Sequence, residues 1–538
     1  MDFITENLLT ILILLPTFGA LAVAGHAMFA NYASDEAKAA QYRWIALGVT
    51  VLVFLVSLFL LGNNPPPRDG FYFVRNVPWI EAIGSNYHVG VDGMSIWLVI
   101  LTTFIMPIAI LSAWNSVEKR PAAFYAFLLL LESAMIGVFC SLDLLVFYLF
   151  FEASLVPMFF LIGIWGSTNR IYAATKFFIY TAVGSLLMLV AIIALYYLHL
   201  TATGFGTFDY VTLLNSLSTN ALILPAGIAI WLFLAFALAF SIKVPMFPFH
   251  TWLPDAHTEA PTAGSVILAA VLLKMGTYGI LRFCFGLFPE VARNEYVAGT
   301  FITLAVIGII YGALVAMVQP DMKRLVAYSS VSHMGFVMLG LFSFNEIGMQ
   351  GALYQMLNHG VSTGALFLLV GMIYDRRHTR EIKEFGGLAN VMPIYATFFV
   401  ITTMSSIGLP FLNGFVGEFL TMLGMWNSNA LAITNSVNWN WVATMLAGTG
   451  VILAAVYLLW MVQRVFFGKV TNPKNRNLPD LNYREIGLLI PLLILMVYMG
   501  VYPKPFLKRS KDSIAAVQQR LENRPAGGTI AETNETHK

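Results

Sequence analysis

Apolar stretches of about twenty residues, the length a helix needs to cross the hydrocarbon core of a bilayer, follow one another through almost the whole of this 538-residue chain. They fall near residues 6–28, 43–62, 95–113, 122–140, 143–164, 173–198, 222–252, 261–288, 298–318, 322–343, 347–373, 391–424, 441–465 and 485–503 (spans 1 to 14 in order). In lipid, backbone polar groups must find partners inside the protein, so such stretches fold as membrane helices. The expected class is an all-α polytopic membrane protein of about 14 transmembrane helices. Residues 506–538 are polar and hold no span, and are expected to form a partly disordered tail. With 30 basic and 28 acidic residues the charges nearly cancel, which argues against nucleic acid as a partner. The two cysteines, Cys140 and Cys284, form no CxxC, so neither an iron–sulfur cluster nor a disulfide framework is encoded. The N-terminus holds Asp2 and Glu6 and no Lys or Arg before the first apolar run, so span 1 reads as a retained helix and not as a cleaved signal.

Spans 7 and 12 are too long for one straight crossing. Each holds an internal proline, Pro245 and Pro410, which removes a helix hydrogen bond and crowds the preceding turn. Both are expected to be broken helices. The loops after odd-numbered spans carry Lys38, Arg43, Lys119, Arg120, Arg170, Lys323, Arg324, Arg376, Arg377, Arg380, Lys383, Arg464, Lys469, Lys474, Arg476 and Arg484. Those after even-numbered spans carry only Arg68, Arg75 and Arg293. Cytoplasmic loops are the basic ones, so the odd loops are expected inside and both termini outside. Lys504, Lys508, Arg509 and Lys511, after span 14, run against that pattern. Ser241-Ile242-Lys243-Val244-Pro245 is echoed by Ser406-Ile407-Gly408-Leu409-Pro410 on a span of opposite direction. Broken helices at matching places of two inverted halves point to a transport site.

Titratable residues lie deep inside these spans, where a charge costs several kcal/mol and is seldom accidental. Glu152 is mid-span 5 and Lys243 sits two residues before Pro245, so the two can pair. Separating such a pair would let the lysine give up its proton; the plainer reading is a static ion pair that fixes helix packing. Lys274, at the centre of span 8, has no acid on its own helix. It reads either as a relay or as an ammonium bonded to exposed carbonyls. His333 and His359, in spans 10 and 11, can pass a proton between their two ring nitrogens, or can be hydrogen-bonded core residues. Glu418, late in span 12, is a candidate terminal proton site or a carboxyl near the outer surface. Glu132 in span 4 and Lys176 near the inner end of span 6 rank below these, the lysine because it can snorkel to the surface. His250, Asp255, His257 and Glu259 crowd a loop, but without a known metal-ligand spacing. An intake funnel on the cytoplasmic side or a structural cap is the better reading. No phosphate-binding glycine motif is present.

FHTWLPDAHTEAPTAGSVILAAVLLKMGTYGILRF (249–283), YLFFEASLVPMFFLIGIWG (148–166), VAYSSVSHMGF (326–336), MLNHGVSTGALF (356–367) and GFVGEF (414–419) together closely resemble the antiporter-like membrane subunits of bacterial respiratory complex I, the proton-translocating NADH-quinone oxidoreductase. That resemblance implies two inverted five-helix repeats, helices 4–8 and 9–13, with helices 7 and 12 broken. It divides the chain into residues 1–113 (helices 1–3), 114–288, 289–466, 467–505 (helix 14) and the tail 506–538. It implies a proton path through Glu152, Lys243, Lys274, His333, His359 and Glu418; Glu132 falls outside the pattern. A sister subunit usually carries lysine at the helix 12 position and a long lateral helix, so Glu418 and the short remainder after span 14 favour the other branch. The implied partners are further membrane-arm subunits and the lipid of a bacterial inner membrane. NADH, FMN, Fe-S clusters and quinone are expected in partner subunits, and no cofactor in this chain. Related subunits serve multi-subunit Na+/H+ antiporters and membrane-bound hydrogenases, which are the alternative.

Overall fold

The computed structural model describes residues 2–29, 35–62, 70–431, 433–434 and 437–522. Arg68 and the last residues, 523–538, lie outside them. Among the described residues twelve helices are long and apolar enough to cross a membrane. The two expected spans outside that count are also helical. Span 10 is Met322–Leu341, made less apolar by Ser329, Ser330, Ser332 and His333. Span 12 is split into Pro393–Ile407 and Asn413–Trp426.

The breaks fall where proline dictates. The helix Ala226–Lys243 stops two residues before Pro245, and the chain resumes as Trp252–Glu259. The indole of Trp252 donates 2.8 Å to the Ile242 carbonyl, so the resumed segment satisfies an acceptor that the break leaves open. The second break turns on Gly408, whose φ of +85° suits a residue without Cβ. Span 5 holds a discontinuity that the sequence reading missed. It ends as Leu144–Ala153 and restarts as Leu155–Trp165. Pro157 cannot donate to the Ala153 carbonyl four residues earlier, so the interruption falls beside Glu152.

The loops sort into two groups, each packed against itself. At one end, Trp165 reaches the Lys119 carbonyl at 2.6 Å, Arg380 pairs with Asp321 at 3.1 Å and Arg376 pairs with Glu485 at 2.6 Å. These all belong to the loops after odd-numbered spans or to their edges. The opposite end carries an unforeseen antiparallel hairpin, Tyr72–Ile80 with Ser85–Val91. It is fastened by two buried acids that also cap helices. Asp143 accepts from Leu145 and Val146 at the start of its helix, and from the Asn86 backbone at 3.0 Å. Asp209 caps Tyr210–Ser218 through Thr212 at 2.7 Å and closes on the His88 ring. Burial works to raise the Asp209 carboxyl, but His88 and Thr212 outweigh it and hold the group below the usual carboxylate range. Its stabilising effect is therefore complete above the unfolded value of about 3.9 and fades only as pH drops below that. Asp209→Asn should release the hairpin, costing about 1–3 kcal/mol locally. Faster amide hydrogen exchange over 72–91 is the expected signature; unchanged protection would contradict it.

The described part of the tail, up to Glu522, is helical, and the rest of it lies outside the described residues. Residues Lys504–Glu522 form an amphipathic helix with Ser510, Ile514, Val517 and Leu521 buried. The positions 510, 514, 517 and 521 follow the helical period, so the helix covers apolar surface despite a polar average. It lies across the hairpin end. Ser513 accepts from the Gly93 backbone at 2.9 Å, Trp97 donates to the Phe506 carbonyl at 3.2 Å, and Arg293 to the Leu521 carbonyl at 3.3 Å. A Cβ on Gly93 would stand 2.0 Å from the Arg509 carbonyl oxygen, so the close approach needs glycine. Two of the four basic residues that ran against the charge pattern have local work here. Arg509 caps the Leu60 and Leu61 carbonyls, and Lys511 lies 3.9 Å from Glu346.

Candidate proton-transfer site

Lys243 ends its helix at the first break and is 1% exposed. Its ammonium hydrogen-bonds to no protein atom and lies 4.9 Å from the Phe151 ring centroid and 5.8 Å from that of Phe177. Both ring faces attract a cation. Glu152 is half-buried beside it and interacts with it electrostatically, but no direct ion pair forms. The expected pair is therefore adjacent and open.

Lys274 is fully buried. Its helix is wound more loosely on both sides, with π-turns at Leu268–Leu272 and Ile280–Cys284. Such turns cluster at functional sites because they displace backbone carbonyls from the helical ladder. The ammonium reaches back to one of these, the Ala269 carbonyl, five residues earlier. It also bonds His359 Nδ1 at 2.7 Å. Lys274 thus touches both a displaced carbonyl and a titratable ring.

His333 Nδ1 bonds Glu418 Oε1 at 2.7 Å, and both side chains are buried. The His333 and His359 ring centroids are 5.9 Å apart. In each ring the other nitrogen, Nε2, is buried without a partner. Lys274, His359, His333 and Glu418 therefore form one row across three helices and the second break. Glu418 is 2% exposed, so it does not belong to the surface.

Three amides that the sequence reading passed over complete this end. Gln355 donates to Glu418 Oε1 at 3.1 Å, and Asn358 donates to the Asn413 carbonyl at 2.7 Å across the break. The Asn413 side chain accepts from Ser405 at 2.5 Å, joining the two half-helices. A Cβ on Gly417 would meet Gln355 Oε1 at 2.2 Å, so glycine lets the helices approach this closely. The signal was present in the spacing. Gln355, Asn358 and His359 lie on one face of the helix Glu346–Arg377, at separations of three and four residues.

Lys176 and Glu132 stand apart from this row. Lys176 forms an ion pair with Asp255 at 2.7 Å, with Arg324 3.8 Å from the same carboxylate. Glu132 is fully buried with neither carboxyl oxygen hydrogen-bonded. The crowded HTWLPDAHTEAP segment sends its residues to separate partners. Glu259 accepts from the Asn169 backbone at 2.9 Å, His250 packs on the Phe247 and Tyr311 rings, and His257 stacks on Phe367 at 4.5 Å. Among the described residues no three potential ligands gather into a metal site. Lys323, first counted as a loop cation, is 5% exposed and bonds the Ala260 carbonyl.

A polytopic helical bundle with spans 7 and 12 broken and a buried row of lysine, histidines and glutamate is the build of an antiporter-like membrane subunit. Known proteins agree. Residues 141–447 match the family model "NADH:quinone oxidoreductase/Mrp antiporter, TM", and residues 38–139 match "NADH-ubiquinone oxidoreductase chain 4, amino terminus". NADH-quinone oxidoreductase subunit M of Rhodobacter capsulatus is 49% identical over 521 residues, 96% of this chain and 97% of its own. A chain of respiratory complex I from Thermus thermophilus, solved with bound NADH, superposes with a TM-score of 0.82 at 32% identity, over 95% of this chain and 99% of that one. A chain of an Mrp complex from a Dietzia species superposes at 0.76 with 21% identity, over 95% of this chain and 52% of that one, and shares the fold alone. The chain belongs to the NADH-quinone oxidoreductase subunit M family, a multi-pass membrane component of the complex I translocase.

Proposed function

We propose that this chain carries protons across the bacterial inner membrane along the row Glu152, Lys243, Lys274, His359, His333 and Glu418, driven by quinone reduction in partner subunits. The observation that carries the reading is the hydrogen bonding at its centre. Lys274 meets His359 through Nδ1 and Glu418 meets His333 through Nδ1, which leaves the two Nε2 atoms for passage between the rings. An imidazole that gains a proton on one nitrogen can release it from the other. The open Glu152–Lys243 pair supplies the charge change at the start. Closing it favours the ammonium, and opening it frees a proton for the next lysine.

Moving one proton against 100 mV costs about 2.3 kcal/mol. Nothing in this row supplies that energy, so it must come from neighbouring membrane-arm subunits, with NADH, FMN, Fe-S clusters and quinone held among the partners. The two broken helices and their echoed motifs support a pair of inverted repeats, spans 4–8 and 9–13. The grouping of basic loops at one end supports a cytoplasmic position for that end, with both termini outside.

Glu152→Gln in the assembled complex tests the first step. The amide keeps the shape but cannot change charge. Proton uptake per quinone reduced in proteoliposomes should fall several-fold, a barrier increase of about 1 kcal/mol. An assembled variant that pumps at the wild-type ratio would remove Glu152 from the path.

A further inference from the structure

We propose that a cleft at the hairpin end of the molecule binds the headgroup of an anionic phospholipid, with Arg520 as the phosphate ligand. The cleft holds about 430 Å³ and is lined by the helix Tyr210–Ser218, the loop after it, residues 286–291 and the last turn of the C-terminal helix. Its walls are apolar, from Leu214, Leu217, Leu224 and Phe288. Its polar groups are Asn215, Ser218, Asn220, Glu290 and Arg520.

Three observations select this occupant. First, Arg520 forms no ion pair or hydrogen bond with any described residue, although it borders an apolar hollow. The carboxylate on the wall, Glu290, is exposed and is not paired with it. A guanidinium suits a phosphate because its fork matches two oxygens at once. Second, the cleft opens beside lipid-facing surface. Ile223, in the loop before the helix Ala226–Lys243, and Trp231 on that helix are each 74% exposed, and Ile228 and Ile230 of the same helix are 41% exposed. Acyl chains can lie on that face while the headgroup enters the cleft, and a tryptophan at this depth suits the membrane–water boundary. Third, Arg520 is the last basic residue of an amphipathic helix that lies on the end of the bundle. Such helices attract anionic lipid through the basic residues of their polar face.

The test uses the whole purified complex, stripped of bound lipid and then given phosphatidylglycerol with a photoreactive acyl chain. Peptide mapping should place crosslinks in residues 214–231 and 286–291. Labelling should fall about tenfold in Arg520→Gln, the loss of one charge-assisted contact, and should persist in Arg520→Lys. Unlabelled phosphatidylglycerol should compete; phosphatidylcholine and inorganic phosphate should not. Native gels and NADH oxidation would show that both variants assemble. Equal labelling by a photoreactive phosphatidylcholine, or undiminished labelling of Arg520→Gln, would overturn the proposal. So would competition by phosphate, or crosslinks from the cleft to a neighbouring polypeptide in place of lipid.

Discussion

Replacing Lys274 with methionine is expected to leave the complex assembled while blocking proton flow through this chain. The side chain is fully buried, and its nitrogen is held by the Ala269 carbonyl and the His359 ring. Methionine has similar length and no charge to desolvate, so the fold loses little; buried ions exchanged for apolar groups of like size are often neutral to stability. What disappears is the titratable group that bonds His359 Nδ1, through which the proposed path enters the histidine pair. Proton flux through this chain should drop at least about a hundredfold, the equivalent of roughly 2.7 kcal/mol of added barrier. The measurement is acidification of proteoliposomes alongside quinone reduction. If Lys274 served only to satisfy the Ala269 carbonyl, the variant would be less stable to heat and would still pump.

Glu418→Gln is the second large effect. Glu418 Oε1 accepts from both His333 and Gln355. A glutamine oxygen can still accept those bonds, so the helices joined at Gly417 should remain packed. The amide cannot take the proton that His333 would hand on. Pumping through this chain should fall at least about tenfold, more than 1.4 kcal/mol of barrier, with the thermal unfolding of the complex unchanged. A purely structural Glu418 would give the opposite result, near-normal pumping in the glutamine variant.

Much of this was legible in the sequence because the bilayer permits so few solutions. Apolar length located the spans, prolines located the breaks at Lys243 and Gly408, and isolated titratable residues pointed to Lys274, His359, His333 and Glu418, which the fold brings together. Features that depend on partners distant in the chain were not legible. Lys323 counts as a loop cation until the fold buries it on the Ala260 carbonyl. The carbonyl offered to Lys274 comes from a loosened helical turn, which no residue pattern announces. The hairpin 72–91 is held by Asp143 and Asp209, which lie more than fifty residues away in sequence. The C-terminal helix is a different case. Its apolar positions do follow the helical period, and only the polar average of the segment concealed them.

The central claim is that one connected row of buried titratable groups carries protons through this chain. The most direct test is the number of protons moved per quinone reduced by assembled Lys274→Met complex in sealed vesicles. The row requires a ratio clearly below that of the unaltered complex, with NADH oxidation by an artificial acceptor preserved. An unaltered ratio in that variant would mean that protons travel by another route.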